Sequence, residues 1–231
     1  MKTRAFVFAR GGSKGLPRKN VKLLAGKPLL SYSIDLARKM SMFEKVYVST
    51  EDNEIASVAS DFGATVIKRP DELAKDDSDE WLSWQHAVNW SIAADGPFDR
   101  FVSLPATSPL RNQHDVQLAC DKFSASSFDA CITVTPSSRS PFFNMVTLGV
   151  DSEVTIVSDG MDIRRRQDAP KVYDITTVAY VTSPEFILRN AGLFKGHVCA
   201  VPVPKARAVD IDDMIDFKLA ETLLMDAQDN A

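Results

Sequence analysis

Cysteine and histidine are scarce in this sequence of 231 residues, which contains only three of each. The cysteines, Cys120, Cys131 and Cys199, are odd in number and form no Cys-x-x-Cys pair, which argues against a zinc knuckle or a disulfide framework. His86 has no cysteine, aspartate or second histidine at ligand spacing, which argues against a metal role. Free cysteines are typical of proteins in a reducing cytoplasm, and we predict that location.

Long hydrophobic runs are also missing. No stretch of 18 apolar residues occurs, and the first ten residues hold one apolar run of five, at 5–9, which is too short for the core of a signal peptide. We therefore expect no membrane association. The net charge is only −4, which argues against general nucleic-acid binding because that function needs a broad basic face.

Strand and helix patterns alternate along the chain. Short apolar runs at 5–9, 46–49 and 64–67 predict buried strands, and the segments between them carry apolar residues at helical spacing. This order predicts a mostly parallel sheet whose ligands bind beyond the carboxyl ends of the strands. The fold class that we predict is α/β, a three-layer α/β/α nucleotide-binding fold of Rossmann-like type. Tryptophans on a helix predicted at 80–94 form either core or a base-stacking platform, and their helical spacing favours core.

Residues 10–22 give the clearest functional signal. A predicted strand ends there in a glycine-rich loop, which offers backbone N–H groups and cations to a polyphosphate. Its spacing fits neither GxxxxGK[ST] nor GxGxxG, so the loop predicts neither a P-loop ATPase nor a dinucleotide fold. Residues 1–34 hold eight Lys or Arg and no acid, whereas the rest holds 19 basic and 31 acidic residues. The alternative is a solvated turn. The four cations of the loop are Arg10, Lys14, Arg18 and Lys19.

Aspartates cluster at 209–216, before an amphipathic helix. In an extended segment Asp210 and Asp212 point to one side, where two carboxylates can share a hard cation such as magnesium. The alternative is an ordinary acidic helix start, capped by Asp212 or Asp213. Combined with the glycine-rich loop, the cluster predicts a metal-assisted nucleotide reaction.

A turn-rich loop at 105–111 and an irregular segment at 138–160 complete the pattern. Thr107 and Ser108 can donate to a sugar hydroxyl or phosphate, or merely cap the turn. The irregular segment predicts a hairpin arm that leaves the sheet, and the three arginines at 164–166 that follow it are expected to close an active site or to contact a partner subunit. The predicted division is an α/β domain of residues 1–137 and 171–231 with an extended arm of residues 138–170.

Residues 9–20, Ala-Arg-Gly-Gly-Ser-Lys-Gly-Leu-Pro-Arg-Lys-Asn, resemble the opening signature of the acylneuraminate cytidylyltransferases, the CMP-sialic acid synthetases. Further segments follow in the family's order, at 48–52, 69–74, 107–111, 166–168 and 210–216. The resemblance implies a nucleotidyltransferase in which the anomeric hydroxyl of an acidic 2-keto-3-deoxy sugar attacks the α-phosphate of CTP and releases pyrophosphate. It also implies a homodimer whose arm reaches the neighbouring site.

The resemblance assigns roles by position. Arg10, Lys14 and Lys19 are expected to be catalytic, with Asp212 or a water at the metal as the proton acceptor, and Asp210 and Asp212 are expected to hold Mg²⁺. Seven positions are expected to contact the sugar, with Arg166 acting from either subunit: Thr107, Ser108, Arg166, Gln167, Tyr180, Leu193 and Phe194. Eight are expected to contact CTP: Arg10, Gly11, Gly12, Ser13, Lys14, Lys19, Asn20 and Arg69.

The chain departs from the family at positions that bear on the substrates. Pro105-Ala106 replaces a Gln-Pro pair near the sugar, Asp174 replaces a cation, and Glu80 replaces a small hydroxyl residue near the cytosine. These departures support a second interpretation, in which the same chemistry acts on a legionaminic, pseudaminic or Kdo-type acid. A third interpretation, from another class, is a catalytically inactive nucleotide-binding protein.

Overall fold

The computed structural model describes residues 1–158, 163 and 165–229, and for residues 166, 228 and 229 it describes the backbone alone. Eleven strands occur in this part of the chain. In chain order they are β1 (Thr3–Phe8), β2 (Leu23–Leu24), β3 (Lys27–Pro28), β4 (Phe43–Thr50), β5 (Thr65–Lys68), β6 (Arg100–Ser103), β7 (Ala130–Pro136), β8 (Val146–Leu148), β9 (Val154–Ile156), β10 (Tyr173–Thr182) and β11 (Val198–Pro202).

Helices connect these strands. The α-helices are α1 (Leu29–Lys39), α2 (Asn53–Asp61), α3 (Glu80–Asp95), α4 (Gln113–Ser124), α5 (Pro184–Arg189) and α6 (Met214–Asp229). Short 3₁₀ turns occur at Lys19–Val21, Asp71–Ala74, Arg166–Asp168, Leu193–Lys195 and Lys205–Arg207. No helix among the described residues is long and apolar enough to cross a membrane.

Seven strands form the central sheet in the order β11-β7-β10-β6-β1-β4-β5. Neighbouring strands run parallel except at β10, which is antiparallel to both β6 and β7. The predicted mostly parallel sheet is therefore confirmed. Because β1, β4, β5 and β6 are parallel, the loops that follow them meet at one edge of the sheet.

Helices cover both faces of the sheet. Alternate residues of β1 point to opposite sides: Ala5 and Val7 pack with α1, α2 and α4, whereas Phe6 packs with α3 and α5. These two apolar layers make the three-layer α/β/α architecture that the sequence predicted. Trp81 and Trp84 of α3 are 6% and 4% exposed within the aromatic layer, so the structure confirms that this stripe is core.

An irregularity in β10 interrupts the pairing of this strand with β7. Thr176 pairs with Thr133 and Tyr180 with Ile132, which leaves residues 177–179 without ladder partners on β7. The Thr133 hydroxyl replaces the missing ladder, because it accepts hydrogen bonds from the Ala179 amide at 3.0 Å and the Thr176 hydroxyl at 2.7 Å. Bulges of this kind re-aim side chains, and here Thr177 points to the loop after β6.

A separate two-stranded hairpin, β8–β9, lies within the segment predicted to leave the sheet. Val146, Leu148, Val154 and Ile156 alternate with Thr147 and Thr155, which gives the hairpin one apolar face. Leu148 is 73% exposed and Val154 is 62% exposed. The predicted hairpin is therefore present, and its role as a dimerisation element stays a prediction. Arg164 lies outside the described residues.

Candidate active site

A cleft of about 380 Å³ opens at the edge of the sheet where the loops after β1, β5 and β6 meet. A second cavity of about 410 Å³ adjoins it and shares Arg10, Thr107 and Asp212 with it. The glycine-rich loop lines the second cavity, and the segment before α6 contributes to both. The two predicted clusters, separated by about two hundred residues in sequence, therefore border one continuous space.

Local contacts fix the shape of the glycine-rich loop. The Gly11 amide donates to Glu51 Oε1 at 2.7 Å, and Asn20 Nδ2 donates to the Arg10 carbonyl at 2.9 Å. A side chain at Gly15 would collide with the carbonyl oxygen of Asp212, so this position requires glycine. The loop is thus packed directly against the carboxylate segment. Asn20 has a positioning role here.

Lys19 links the two clusters. Its side chain is only 12% exposed, and its ammonium group donates to the Ile211 carbonyl and lies 3.2 Å from Asp212 Oδ1. A buried ammonium group with carboxylate and carbonyl partners is held at a fixed position in the cavity wall. Lys19 is therefore the most buried of the four cations of the loop.

Arg10 and Lys14 share a single carboxylate partner, Asp76. Arg10 Nη1 lies 3.0 Å from Asp76 Oδ1, and Lys14 Nζ lies 2.8 Å from Asp76 Oδ2. Arg10 also donates to the Lys75 carbonyl at 3.2 Å. Both cations keep a solvent-accessible side, and both line the site.

Arg18 differs from the other cations of the loop. It forms two hydrogen bonds with Asp52, at 2.6 and 3.1 Å, and a further ion pair with Glu54. The Arg18 guanidinium lowers the pKa of Asp52 to about 2. Because Asp52 also caps α2 through the Ile55 amide, Arg18 anchors the loop to this helix. Arg18 is absent from the lining of the cleft and of the adjoining cavity, and its part in phosphate binding stays a prediction.

Arg69 and Glu80 both line the cleft, Arg69 as a buried side chain and Glu80 as an exposed one. The Arg69 guanidinium packs 6.0 Å from the Phe8 ring and donates to both the hydroxyl and the carbonyl of Ser49. Burial lowers the pKa of Arg69. Its Nη1 atom makes no hydrogen bond with any described residue.

Glu80, the first residue of α3, is exposed to solvent in the cleft, and the surrounding protein removes part of its hydration. This desolvation raises the pKa of Glu80, while the Trp84 indole N–H, at 3.2 Å from Oε1, and the charge of Arg69 act in the opposite direction. Oε1 has a protein donor, whereas no hydrogen bond links Oε2 to the described part of the chain. Glu80 and Arg69 thus present one acceptor and one donor to the cleft.

Asp210 and Asp212 differ in their surroundings. Burial raises the pKa of Asp210, against hydrogen bonds from Thr107 and Thr177, and Asp210 Oδ1 is buried without a hydrogen-bond partner among the described residues. Asp212 is 80% exposed. Asp213 accepts from the Ile215 amide at 2.7 Å and from the Asp216 amide at 3.1 Å, so Asp213 caps α6. The capping alternative therefore applies to Asp213.

Only some of the residues predicted to contact the sugar line the cleft. Thr107 and Tyr180 line the cleft, and burial raises the pKa of Tyr180 to about 12. Ser108 is buried and bonds the Thr177 hydroxyl at 2.6 Å, so its hydroxyl has a structural partner. Leu193 packs against the aromatic layer and Phe194 is 65% exposed, and both lie outside the cleft lining.

The 3₁₀ turn Arg166–Asp168 contains two further predicted contacts with the sugar. Gln167 is exposed, and the side chain of Arg166 lies outside the described residues. The structure therefore brings Thr107 and Tyr180 together with the nucleotide residues, and it leaves Gln167, Leu193 and Phe194 outside the lining of the cleft.

Three residues that shape the site were missed by the sequence interpretation. Asp76 lies in the acidic connection between β5 and α3, and Thr177 reaches the cleft through the bulge in β10. Arg111 is buried and donates to Ser33 Oγ at 2.6 Å and to the Thr177 carbonyl at 3.0 Å. Burial lowers the pKa of Arg111 to about 9. The available signals were its position in a turn-rich loop and its place in the segment 107–111 that resembles the family.

Comparison with known proteins identifies the family. The family model described as "Cytidylyltransferase" matches residues 5–193. The chain belongs to the cytidylyltransferase family. The predicted enzyme class, nucleotidyltransferase, is confirmed.

This cytidylyltransferase is 32% identical over 220 residues to the CMP-N,N'-diacetyllegionaminic acid synthase of Campylobacter jejuni, covering 94% of this chain and 93% of that protein. It is 30% identical over 220 residues to the N-acylneuraminate cytidylyltransferase of Escherichia coli, covering 95% of this chain and 51% of that protein. The resemblance noted in the sequence is therefore confirmed.

A solved structure of CMP:2-keto-3-deoxy-manno-octonic acid synthetase complexed with CTP matches this cytidylyltransferase with a TM-score of 0.74 and 14% identity. The match covers 98% of this chain and 100% of the other. At this identity the similarity supports the fold, and it confirms the predicted α/β class.

Proposed function

We propose that this cytidylyltransferase joins CTP to a nonulosonic acid, an acidic 2-keto-3-deoxy sugar of the sialic-acid type, to give a CMP-sugar and pyrophosphate. The observation that carries the proposal is the continuous cleft in which the cations Arg10, Lys14 and Lys19 face Asp210 and Asp212. Relatives named for CMP transfer to legionaminic and neuraminic acids support the sugar class.

The glycine-rich loop is the proposed triphosphate site. Arg10, Lys14 and Lys19 bind the phosphates, and the backbone of Gly12 and the hydroxyl of Ser13 add neutral donors. The anomeric oxygen attacks the α-phosphorus, the bond to the bridging oxygen breaks, and the electron pair leaves on pyrophosphate. These three cations stabilise the charge that develops on the leaving group. The hydroxyl proton leaves toward Asp212, the exposed carboxylate of the pair.

The carboxylates fit a magnesium ion. Asp210 Oδ1 is a buried acceptor without a described donor, and Asp212 borders the same cavity. No group of three metal-binding side chains occurs in the part of the chain that the structure describes. Two carboxylates suffice, because magnesium usually keeps several waters and binds substrate phosphates as well. When bound, the ion would withdraw charge from the phosphate oxygens.

Pyrophosphate release tests the proposal. The purified protein is incubated with magnesium and CTP, UTP, ATP or GTP, together with sialic, legionaminic, pseudaminic or Kdo-type acids. We expect release with CTP and at least one nonulosonic acid. Release with a Kdo-type acid alone would move the substrate to the ulosonic acids. Binding of CTP with no release from any acid would favour the inactive nucleotide-binding protein instead.

Glu80 is predicted to select cytosine over uracil. An ionised carboxylate only accepts hydrogen bonds, so it pairs with the 4-amino group of cytosine and opposes the 4-oxo group of uracil. Glu80→Gln can accept or donate, and we expect it to reduce the CTP over UTP preference in kcat/KM by about 10-fold. The matched control is Asp79→Asn, in which the asparagine still caps α3.

The same preference is predicted to depend on pH. As the pH falls toward the raised pKa of Glu80, the protonated carboxyl becomes a donor as well, and the preference for CTP narrows. The charged and titratable groups around Glu80 are Arg69, Asp79, Tyr180 and Asp210. Their titration is expected to change the rates with CTP and UTP alike, so it should leave the ratio of the two rates unchanged. Initial rates with CTP and UTP from about pH 8 to about pH 5.5 measure the effect. If the ratio of the CTP rate to the UTP rate changed with pH as much in Glu80→Gln as in the wild type, the predicted role of Glu80 would be contradicted.

The apolar face of the β8–β9 hairpin is the proposed homodimer contact. A two-stranded hairpin is marginally stable alone, and an exposed apolar face of this kind marks an interface. We expect Leu148→Asp to convert a dimer to a monomer of 25.5 kDa, measured by light scattering. Thr147→Asp, on the polar face of the same strand, is the matched control. A dimer that survives Leu148→Asp would place the interface elsewhere.

A further inference from the structure

The acidic segment between β5 and α3 contacts the phosphate-binding cations. Residues 71–79 contain five carboxylates, Asp71, Glu72, Asp76, Asp77 and Asp79, and one base, Lys75. Asp79 caps α3 through the Trp81 amide at 2.9 Å. Among these carboxylates Asp76 reaches the glycine-rich loop, where its two oxygens divide between Arg10 and Lys14.

The Asp76 carboxylate occupies the position between two cations where a phosphate group would bind. One anionic group offers separate oxygens to two cations, at 3.0 and 2.8 Å, and Arg10 is held further by the Lys75 carbonyl at 3.2 Å. Hydrogen bonding from Lys14, with the charge of Arg10 as a smaller contribution, holds the pKa of Asp76 below its usual range, so the group is an anion throughout the neutral range. A triphosphate that binds Arg10 and Lys14 therefore meets the Asp76 carboxylate as a competing anion.

We propose that Asp76 is an internal phosphate surrogate that competes with the substrate triphosphate and with product pyrophosphate for Arg10 and Lys14. The inference rests on the proposed function, because it takes the competing anion to be a polyphosphate. The competition is mild, since both ion pairs are solvent-exposed and exposed pairs are weak. Mild competition lowers the affinity for the substrate a little and helps pyrophosphate to leave when the carboxylate returns.

Binding of inorganic tripolyphosphate, measured by calorimetry without nucleotide, tests the inference. Asp76→Asn removes the competing charge, and we expect it to bind tripolyphosphate about 3- to 10-fold more tightly than the wild type. Asp77→Asn is the matched control: it removes the same charge one residue away, and Asp77 makes no ion pair with the described residues. It is expected to change affinity by less than about twofold. Asp76→Glu keeps the carboxylate and is expected to bind like the wild type.

The difference in tripolyphosphate affinity between Asp76→Asn and Asp77→Asn is expected to become smaller at high salt concentration, because salt screens exposed ion pairs. Equal affinities in these two variants, or weaker binding in Asp76→Asn, would overturn the inference. Tighter binding in Asp76→Asn by a protein that does not turn over CTP would support the inference and refute the proposed function. Turnover of CTP, together with equal tripolyphosphate affinities in Asp76→Asn and Asp77→Asn, would support the proposed function and refute the inference.

Discussion

Replacing Asp210 by asparagine is expected to lower kcat/KM for CTP by at least about 100-fold, because a divalent ion contributes several kcal/mol to phosphoryl transfer. Asparagine has nearly the same volume and still accepts hydrogen bonds, so the packing around Thr107 and Thr177 should persist. The measurements are steady-state kinetics at several magnesium concentrations and a thermal unfolding curve. We expect the magnesium requirement to rise while the unfolding temperature stays close to that of the wild type.

Asp213→Asn is the matched control for this experiment. Asp213 lies in the same acidic segment but caps α6, and asparagine caps helices about as well as aspartate. It should retain activity within about threefold of the wild type. If Asp210→Asn were as active as Asp213→Asn, the metal would be held elsewhere and the proposed role of Asp210 would be refuted.

Replacing Lys19 by methionine is expected to lower kcat by about 100- to 1000-fold, which is typical of losing one preorganised charge at a developing anion. Methionine keeps much of the apolar stem that the cavity wall surrounds, so the loss concerns the ammonium group. Lys19 is a stronger candidate than Lys14, because its side chain is 12% exposed whereas that of Lys14 is 74% exposed. Burst and steady-state measurements of pyrophosphate release separate the chemical step from product release.

Lys22→Met controls for charge in the same basic segment. The Lys22 ammonium lies 5.5 Å from the centre of the Phe217 ring, so it packs against α6. Loss of this ammonium group should lower the free energy of unfolding by an amount of the order of 1 kcal/mol and leave turnover largely unchanged. If Lys19→Met and Lys22→Met had the same kcat, Lys19 would have only a structural role, which is to hold the glycine-rich loop against Ile211.

The sequence predicted the fold well because burial patterns along β1 and α3 are strong. Phe6 and Val7 are both buried, as expected for a strand that is covered on two faces. A continuous apolar run of this length is typical of a strand in a parallel sheet. The helical spacing of Trp81 and Trp84 similarly agreed with their burial. Element boundaries shifted by a few residues, since terminal pairing depends on neighbours that local patterns do not report.

The sequence located several residues that line the cleft, but it gave no information about their ion pairs. Lys19 and Asp210 were placed by residue type and resemblance, and the structure brings them to one cleft. The sequence could not show which cation of the loop meets an acid from elsewhere. Arg18 is paired with Asp52 and Arg10 with Asp76, and both pairings are set by the order of β1, β4 and β5 in the sheet.

The bulge in β10 separates the hydrogen bonds of residues 177–179 from the regular ladder on either side, while Val178 and Ala179 stay fully buried in the core. Residues 177–179 are held by the Thr133 hydroxyl and by Arg111 in place of regular ladder bonds, so the pairing on either side is set independently. Substitutions that reshape the wall around Thr177 therefore leave the register of Tyr180 and Val181 unchanged. The wall of the cleft at Thr177 and the pairing of the sheet can therefore change separately.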